Sequence, residues 1–325
     1  MVLTVCYTIH MLKAVKVKIY PNKTQTKKFT DLFGATRFVY NAGLRYSIDV
    51  RQETGKKPSF GALGRFLTNL KKEHIWLREH NSKVLQQSLM HLEEAYKRMF
   101  VNGTGFPNFK KKHGKQAAHF NIQAISKKNL TNGKLYLTRG FRNIQMRMSE
   151  SNKHFLLKNK KNIKSVVVTR DRVGDFFASI LCEVEDTQLP KTGKIVGVDL
   201  GIKQTATLSN GHVFDNPRYF VENQAKLAKL QQKLARQKRG SGRWQQTKKQ
   251  IAKLHRKVAR KRSWYIHNLT KQLVTDYDII VVENLNTEGM LKNHRLAKHI
   301  QDVSFGEIVR QLEYKCEWYG KTLVK

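Results

Sequence analysis

Acidic residues are scarce in this chain. Its 325 residues hold 24 Asp+Glu against 62 Lys+Arg, a formal net charge of +38. So large an imbalance repels itself unless a polyanion offsets it. Nucleic acid is the first candidate partner, because Lys and Arg release counterions from phosphates. Cysteine is scarce too. Cys6, Cys182 and Cys316 stand far apart and match no Cys-x-x-Cys pattern. They argue for a reducing compartment and against a zinc site within these residues. No apolar run reaches the roughly 18 residues that a membrane helix needs, so no membrane partner is expected. The stretch 1–10 is apolar but short, and it lacks the basic region of a signal peptide. Met11 is an equally good start, so 1–10 reads as a possible N-terminal extension.

What is present begins with alternation. Val15, Val17 and Ile19 share one face and Lys16 and Lys18 the other, a half-buried strand. Pro21-Asn22-Lys23-Thr24 ends it and caps a helix. The pattern is then helical to Phe109. Phe29, Leu32, Phe33, Thr36, Val39 and Tyr40 form one stripe, and Leu85, Leu89, Leu92, Tyr96 and Met99 form another. The other faces of that last helix carry Gln86, Gln87, His91 and Arg98. A glutamine there either reads a base edge or is simply solvated. Phe106-Pro107-Asn108-Phe109 breaks the helix, and Lys110-Lys111-Lys112-His113 is a basic loop. Residues 114–189 read as strands, with a hairpin of 165–169 and 176–185 around Asp171 to Asp175. Together with 13–20 they suggest a small antiparallel barrel interrupted by a helical insertion. Residues 187–193, with Pro190 and Gly193, read as a linker.

The third region opens with Ile195-Val196-Gly197-Val198-Asp199-Leu200-Gly201. This reads as a buried strand that delivers Asp199 to its end, with Gly201 freeing the turn behind it. Downstream, Ile279-Ile280-Val281-Val282-Glu283 repeats the idea. Between them Leu227, Leu230 and Leu234 form one helical seam and Ile251, Leu254 and Val258 another, joined by Gly240-Ser241-Gly242. From Lys226 to Arg262 the basic residues include Arg243, Lys253, Arg256, Lys257, Arg260 and Lys261, and no acid interrupts them. A solvated helix mixes signs, so this hairpin reads as a nucleic-acid surface. Trp244, Trp264 and Tyr265 either stack on bases or fill the seam. A basic loop, 290–299, follows the Glu283 strand. A helix then runs from 305 to 319 with Ile308, Leu312 and Cys316 inward, and 321–325 looks like the start of another strand.

Two carboxylates on core-strand ends suit a hard cation, because Mg²⁺ takes oxygen ligands. Ribonuclease H-type nucleases place such acids on adjacent strands to hold two metal ions. Actin-like ATPases also use an apolar strand followed by Asp-x-Gly, but they want a glycine-rich adenosine segment that is not found here. No Gly-x-x-x-x-Gly-Lys-Ser/Thr occurs either. A purely structural Asp199 or Glu283 stays open on this reading.

The chain resembles the TnpB family, RNA-guided nucleases of small insertion-sequence transposons. The resemblance spans nearly all of 11–325. It rests on Lys18-Ile19-Tyr20-Pro21-Asn22, Ala35-Thr36-Arg37-Phe38-Val39-Tyr40-Asn41, Leu85-Gln86-Gln87-Ser88-Leu89 and Gly105-Phe106-Pro107-Asn108-Phe109-Lys110. It continues through Gly197-Val198-Asp199-Leu200-Gly201-Ile202-Lys203, Val282-Glu283-Asn284-Leu285, Asn293-His294-Arg295-Leu296-Ala297 and Arg310-Gln311-Leu312-Glu313-Tyr314-Lys315. It implies a multidomain α+β protein. A wedge-like antiparallel β-barrel (11–22 and 114–189) receives a helical recognition domain (23–113). A RuvC-type, ribonuclease H-like domain follows (190–325), with a basic helical hairpin at 220–275.

The resemblance further implies a guide RNA from the transposon end and a double-stranded DNA target. Asp199 and Glu283 become metal ligands for two Mg²⁺, Gln86 and Asn121 contacts to a short motif beside the target, and Gln87 a nucleic-acid contact. Lys110, Lys111, Lys112, Lys203 and the hairpin cations become nucleic-acid contacts, in a prokaryotic cytoplasm at the nucleoid. Family members continue into a zinc ribbon and a third catalytic Asp, and neither occurs here. The expectation is a truncated nuclease, with a guided DNA-binding protein without cleavage, an occluder or repressor, as the alternative. Asp302 and Glu307 precede the place of the missing strand and are not expected to supply the third acid.

Overall fold

In the computed structural model, which describes residues 10–131, 133–138, 140–185, 188–293 and 296–325, Asn22 separates β1 (His10–Tyr20) from helix α1 (Lys23–Thr54). Its side chain accepts from the Gln25 N–H at 2.8 Å, and Gln25 returns the bond at 3.0 Å. This capping box satisfies two orphan donors of the first turn. Residues 1–9, most of the possible extension, and His294 and Arg295 lie outside the described residues. The chain divides into two compact units, Leu12–Val184 and one built on Glu185–Lys325. Among the described residues no helix is long and apolar enough to cross a membrane.

In the first unit, α1 is followed by α2 (Phe60–Glu73) and α3 (Ser82–Asn102). A Cβ on Gly43 would lie 2.5 Å from Leu89 Cδ2, so only glycine lets α1 approach α3 this closely. Seven strands form one sheet in the order β2-β6-β7-β1-β5-β4-β3. They are β1, β2 (Gln116–Asn121), β3 (Ile125–Thr131), β4 (Lys134–Leu137), β5 (Ile144–Arg147), β6 (Ile163–Arg170) and β7 (Phe176–Glu185). The β6–β7 hairpin is antiparallel, as its turn residues predict. Phe29 of α1 is fully buried, and its ring lies 4.2 Å from that of Phe141 and 5.7 Å from that of Phe176. The start of α1 thus shares the sheet's core, while α1, α2 and α3 pack a further core of their own around Ala35, Val39, Leu63, Leu67 and Leu89. Helix α4 (Glu150–Lys158) interrupts the region read as strands. It buries only Leu156, too little for a visible helical stripe.

The second unit carries a five-stranded sheet in the order β10-β9-β8-β11-β12. These are β8 (Ile195–Asp199), β9 (Gln204–Leu208), β10 (Val213–Asp215), β11 (Ile279–Val282) and β12 (Thr322–Val324). Strand β11 runs parallel to both β8 and β12, whereas β9 is antiparallel to β8 and β10 to β9. The helices are α5 (Tyr219–Ala235), α6 (Gly242–Asp276), α7 (Thr287–Leu291), α8 (Ala297–Val303) and α9 (Phe305–Tyr319). Ile266, Leu273, Ile300, Phe305 and Leu312 pack on Val196, Val198, Ile280 and Val282. The strands are therefore buried on one face only. Ile195 is 64% exposed and Val281 39%, so the expectation of fully buried strands is corrected. The basic loop read at 290–299 holds the end of α7 and the start of α8.

Candidate functional site

Strand register brings the two carboxylates together. Val198 lies opposite Val282 in the parallel β8–β11 pair. The next residue on each strand is Asp199 and Glu283, so both acids leave the carboxyl end of the sheet side by side. Both are exposed. Among the described residues, neither side chain has a hydrogen-bond or ion-pair partner. Gly201 is not in a left-handed conformation. A Cβ there would meet the Gln204 carbonyl oxygen at 3.0 Å, so glycine serves a close backbone approach in the turn after Asp199.

The opposite end of β11 shows what a structural acid looks like here. Asp278 precedes the strand, and its Oδ1 lies 2.5 Å from Lys321 Nζ. Its Oδ2 accepts from the Thr192 N–H at 2.8 Å and the Gly193 N–H at 2.6 Å. The Lys321 hydrogen bond, then the Thr192 amide, hold this carboxyl well below the usual carboxylate range. The acid at one end of β11 is neutralised and spoken for, while the acid at the other end is free.

Asp302 and Glu307 do not join them. Asp302 is 7% exposed and receives Arg262 and the Phe220 N–H. Glu307 accepts from Arg310 and Gln311. Among the described residues no group of three His, Cys, Asp or Glu side chains is placed to hold a metal ion. The donor chemistry of Asp199 and Glu283, two free carboxylates and no sulfur, fits a hard divalent cation.

The basic hairpin forms as expected from α5 and α6, with Ser241 capping α6 through the Trp244 N–H. Arg243, Lys253, Lys257, Arg260 and Lys261 are exposed and Arg256 is half-buried. Trp264 is 66% exposed, whereas the Tyr265 hydroxyl donates to the Asp215 carbonyl at 2.6 Å. Trp264 is thus open for stacking, while Trp244 is half-buried with the Lys248 ammonium 4.8 Å from its ring centre.

The remaining candidates lie in the first unit. Gln86 is half-buried, and Gln87 is 8% exposed, on the packed side of α3 rather than an outer face. Helix α3 packs on both α1 and β2, so its buried sector is wider than the leucine stripe. Asn121 accepts from the Ala124 N–H at 3.2 Å and so caps a short 3-10 turn. Lys110 is tied to α1 by two Asn41 bonds of 2.8 and 3.0 Å, and its ammonium stands 3.7 Å from the Tyr40 ring centre. Burial pushes its pKa down to about 8. Lys111, Lys112 and, in the second unit, Lys203 are exposed.

Sequence reasoning missed Arg218, which stands beside Lys203 in a cavity at the same sheet end as Asp199. Its only signal was the turn-forming Asn216-Pro217 before it.

Comparison with known proteins accords with this layout. A family model described as a probable transposase matches residues 179–294. A model described as a helix-turn-helix domain matches 11–56, where the structure has a strand and one continuous helix. The putative RNA-guided DNA endonuclease of Streptomyces pristinaespiralis is 32% identical over 315 residues, 96% of this chain and 76% of that protein. The putative RNA-guided DNA endonuclease InsQ of Escherichia coli is 32% identical, over 95% of this chain and 79% of its own length. In fold the chain is similar to Cas12f1 in its complex with sgRNA and target DNA, with a TM-score of 0.56 and 11% identity. The match covers 97% of this chain and 89% of that one. With such identity sustained over most of both curated relatives, the chain belongs to the TnpB family of transposon-associated RNA-guided nucleases.

Proposed function

We propose that the chain is a guided DNA endonuclease whose phosphodiester hydrolysis takes place at Asp199 and Glu283. The carrying observation is their adjacency: two unpaired carboxylates one step past Val198 and Val282, against the fully paired Asp278 at the other end of β11. The names of the relatives and the Cas12f1 complex support a guide RNA and a DNA target as partners. The guide comes from the transposon end, and base pairing, not protein side chains, reads the target. The cation would be Mg²⁺, two ions in the full site, with Asp199 and Glu283 as the residues that would hold it. When bound, it supplies Lewis acidity and an activated water. The protein's own part is to orient: the α5–α6 hairpin holds phosphates through Lys253, Lys257 and Lys261.

In this reading 190–325 is the RuvC-like nuclease domain. Residues 11–22 and 114–189 are the wedge and 23–113 the recognition domain, and Gln86 of the latter with Asn121 of the former contact the motif beside the target. Its place of action is the prokaryotic cytoplasm, on nucleoid DNA.

The alternative reading is guided DNA binding without cleavage. One experiment separates the two. The co-purifying RNA is sequenced, and DNA carrying the matching target is offered with Mg²⁺. Cleavage that Asp199→Ala abolishes supports the nuclease. Tight, target-dependent binding with no cleavage supports the second reading. Cleavage that survives Asp199→Ala removes the site assignment.

A further inference from the structure

Arg218 sits at φ 45° and ψ 40°, in the left-handed region. Glycine takes that conformation freely, whereas a long L side chain is strained there. The turn is held on every side. Asn216 Oδ1 accepts from the Arg218 N–H at 3.0 Å, and Asn216 Nδ2 donates to the Ile202 carbonyl at 2.7 Å. Ile202 belongs to the turn that begins at Asp199, so Asn216 ties Arg218 to the hairpin that carries the catalytic candidate. The Asp215 carbonyl accepts from the Tyr265 hydroxyl, and the Phe220 N–H donates to Asp302 at 2.9 Å. Such strain persists only where surrounding structure imposes it, and it gathers at functional sites.

The topology gives the position a meaning. Strand β9 runs antiparallel to β8, and β10 antiparallel to β9, so Gln204 and Asp215 meet at the carboxyl end of β8. Arg218 therefore stands at the same sheet end as Asp199 and Glu283. A cavity of about 640 Å³ opens there, lined by Lys203, Gln204, Asp215, Asn216, Arg218 and Glu222. Lys203 and Arg218 are exposed, and no ion pair joins either cation to Asp215 or Glu222. The two acids keep the local charge balanced, so the cavity is no general polyanion trap. It rewards an anion placed where the guanidinium carried by that held turn can reach it. A guanidinium fork fits two phosphate oxygens at once, which an ammonium cannot do.

We propose that Arg218, with Lys203 beside it, holds a phosphodiester of the single strand that enters the Asp199–Glu283 end. This rests on the nuclease reading of that end for its role, though not for its measurement. Neither residue touches the reacting phosphate in this proposal; they fix the strand on one side of it.

The test measures binding of a fluorescently labelled single-stranded DNA to the whole chain by anisotropy, in EDTA and at several salt concentrations. Arg218→Gly removes the guanidinium and also relieves the backbone. It is expected to weaken binding about five- to tenfold and to lower the salt slope by about 0.7, one single-strand phosphate. Its melting temperature should hold or rise. Arg218→Lys should keep the salt slope and bind with intermediate affinity. Unchanged affinity and slope in Arg218→Gly would overturn the proposal. So would a fall in melting temperature with the slope intact, since that is the mark of a structural turn. Cleavage that survives Asp199→Ala would remove the nuclease site from this sheet end while leaving this measurement untouched.

Discussion

The Asp302 carboxylate lies 2.9 Å from Arg262 Nη2 and 2.9 Å from the Phe220 amide. One buried acid thus joins the first turn of α5, the middle of α6 and the end of α8. Arg218, at the N-cap position of α5, makes no side-chain cap, so Asp302 does that work from a distant element. It also turns one cation of the basic hairpin inward, away from any nucleic acid.

Asp302→Ala should therefore destabilise the protein by about 1–3 kcal/mol, because it leaves the half-buried Arg262 guanidinium and the Phe220 N–H without their acceptor. Asp302→Asn, which keeps an acceptor for Phe220, should lose less. Chemical denaturation followed by circular dichroism measures both. A loss under about 1 kcal/mol for the alanine variant would show that Arg262 finds water instead.

Histidine supplies a pH dependence. His91 Nε2 and His119 Nδ1 are 2.9 Å apart with rings stacked. Burial, then His119, Lys110, Lys115 and Arg98, push His91 down to about 4 from its ordinary 6.5. The unfolded chain then binds more protons than the folded one between those values. Stability from this pair is fully present above about pH 6.5 and is lost as pH falls toward 4. His91→Gln should flatten the curve of stability against pH across that window. An unchanged slope would show that other groups set it.

The elements with a strong period were legible in advance. Helix α9 falls at Phe305–Tyr319 with Ile308, Leu312 and Cys316 buried, and Asn22 caps α1, because those signals are local. The pairing of Asp199 with Glu283 was suggested by two similar strands, but the register that sets them side by side is tertiary. So are the inward turn of Gln87, which depends on α3 packing on two neighbours, and the left-handed Arg218, which depends on Asn216 reaching Ile202. No local pattern announces Asp302, since its partners lie 40 and 82 residues away in the chain.

The hairpin makes a prediction in salt. Lys253, Lys257 and Lys261 are exposed on α6, and Lys261 stands 5.1 Å from the Tyr219 ring centre. Changing all three to Gln should weaken RNA binding and reduce the slope of log affinity against log salt. About 0.7–0.9 is expected for each lost phosphate contact. A filter-binding series at several salt concentrations reads this directly. An unchanged slope would place these lysines in solvent.

Metal binding at the two free carboxylates can be read without cleavage. A cation that binds only the folded state stabilises it by about 1.4 kcal/mol at ten times its dissociation constant. Mg²⁺ should therefore raise the melting temperature of the parent chain, and EDTA should reverse the gain. Asp199→Ala and Glu283→Ala should each remove most of it, because one remaining carboxylate leaves the ion held largely by water. Without metal, each variant should be at least as stable as the parent, since two like charges stand side by side at the sheet end and neither is paired. Asp278→Ala should behave in the opposite way. It loses the Lys321 contact and the Thr192 and Gly193 amides, so it should destabilise in EDTA and leave the Mg²⁺ gain intact. A Mg²⁺ shift that persists in Asp199→Ala but disappears in Asp278→Ala would move the metal to the other end of β11.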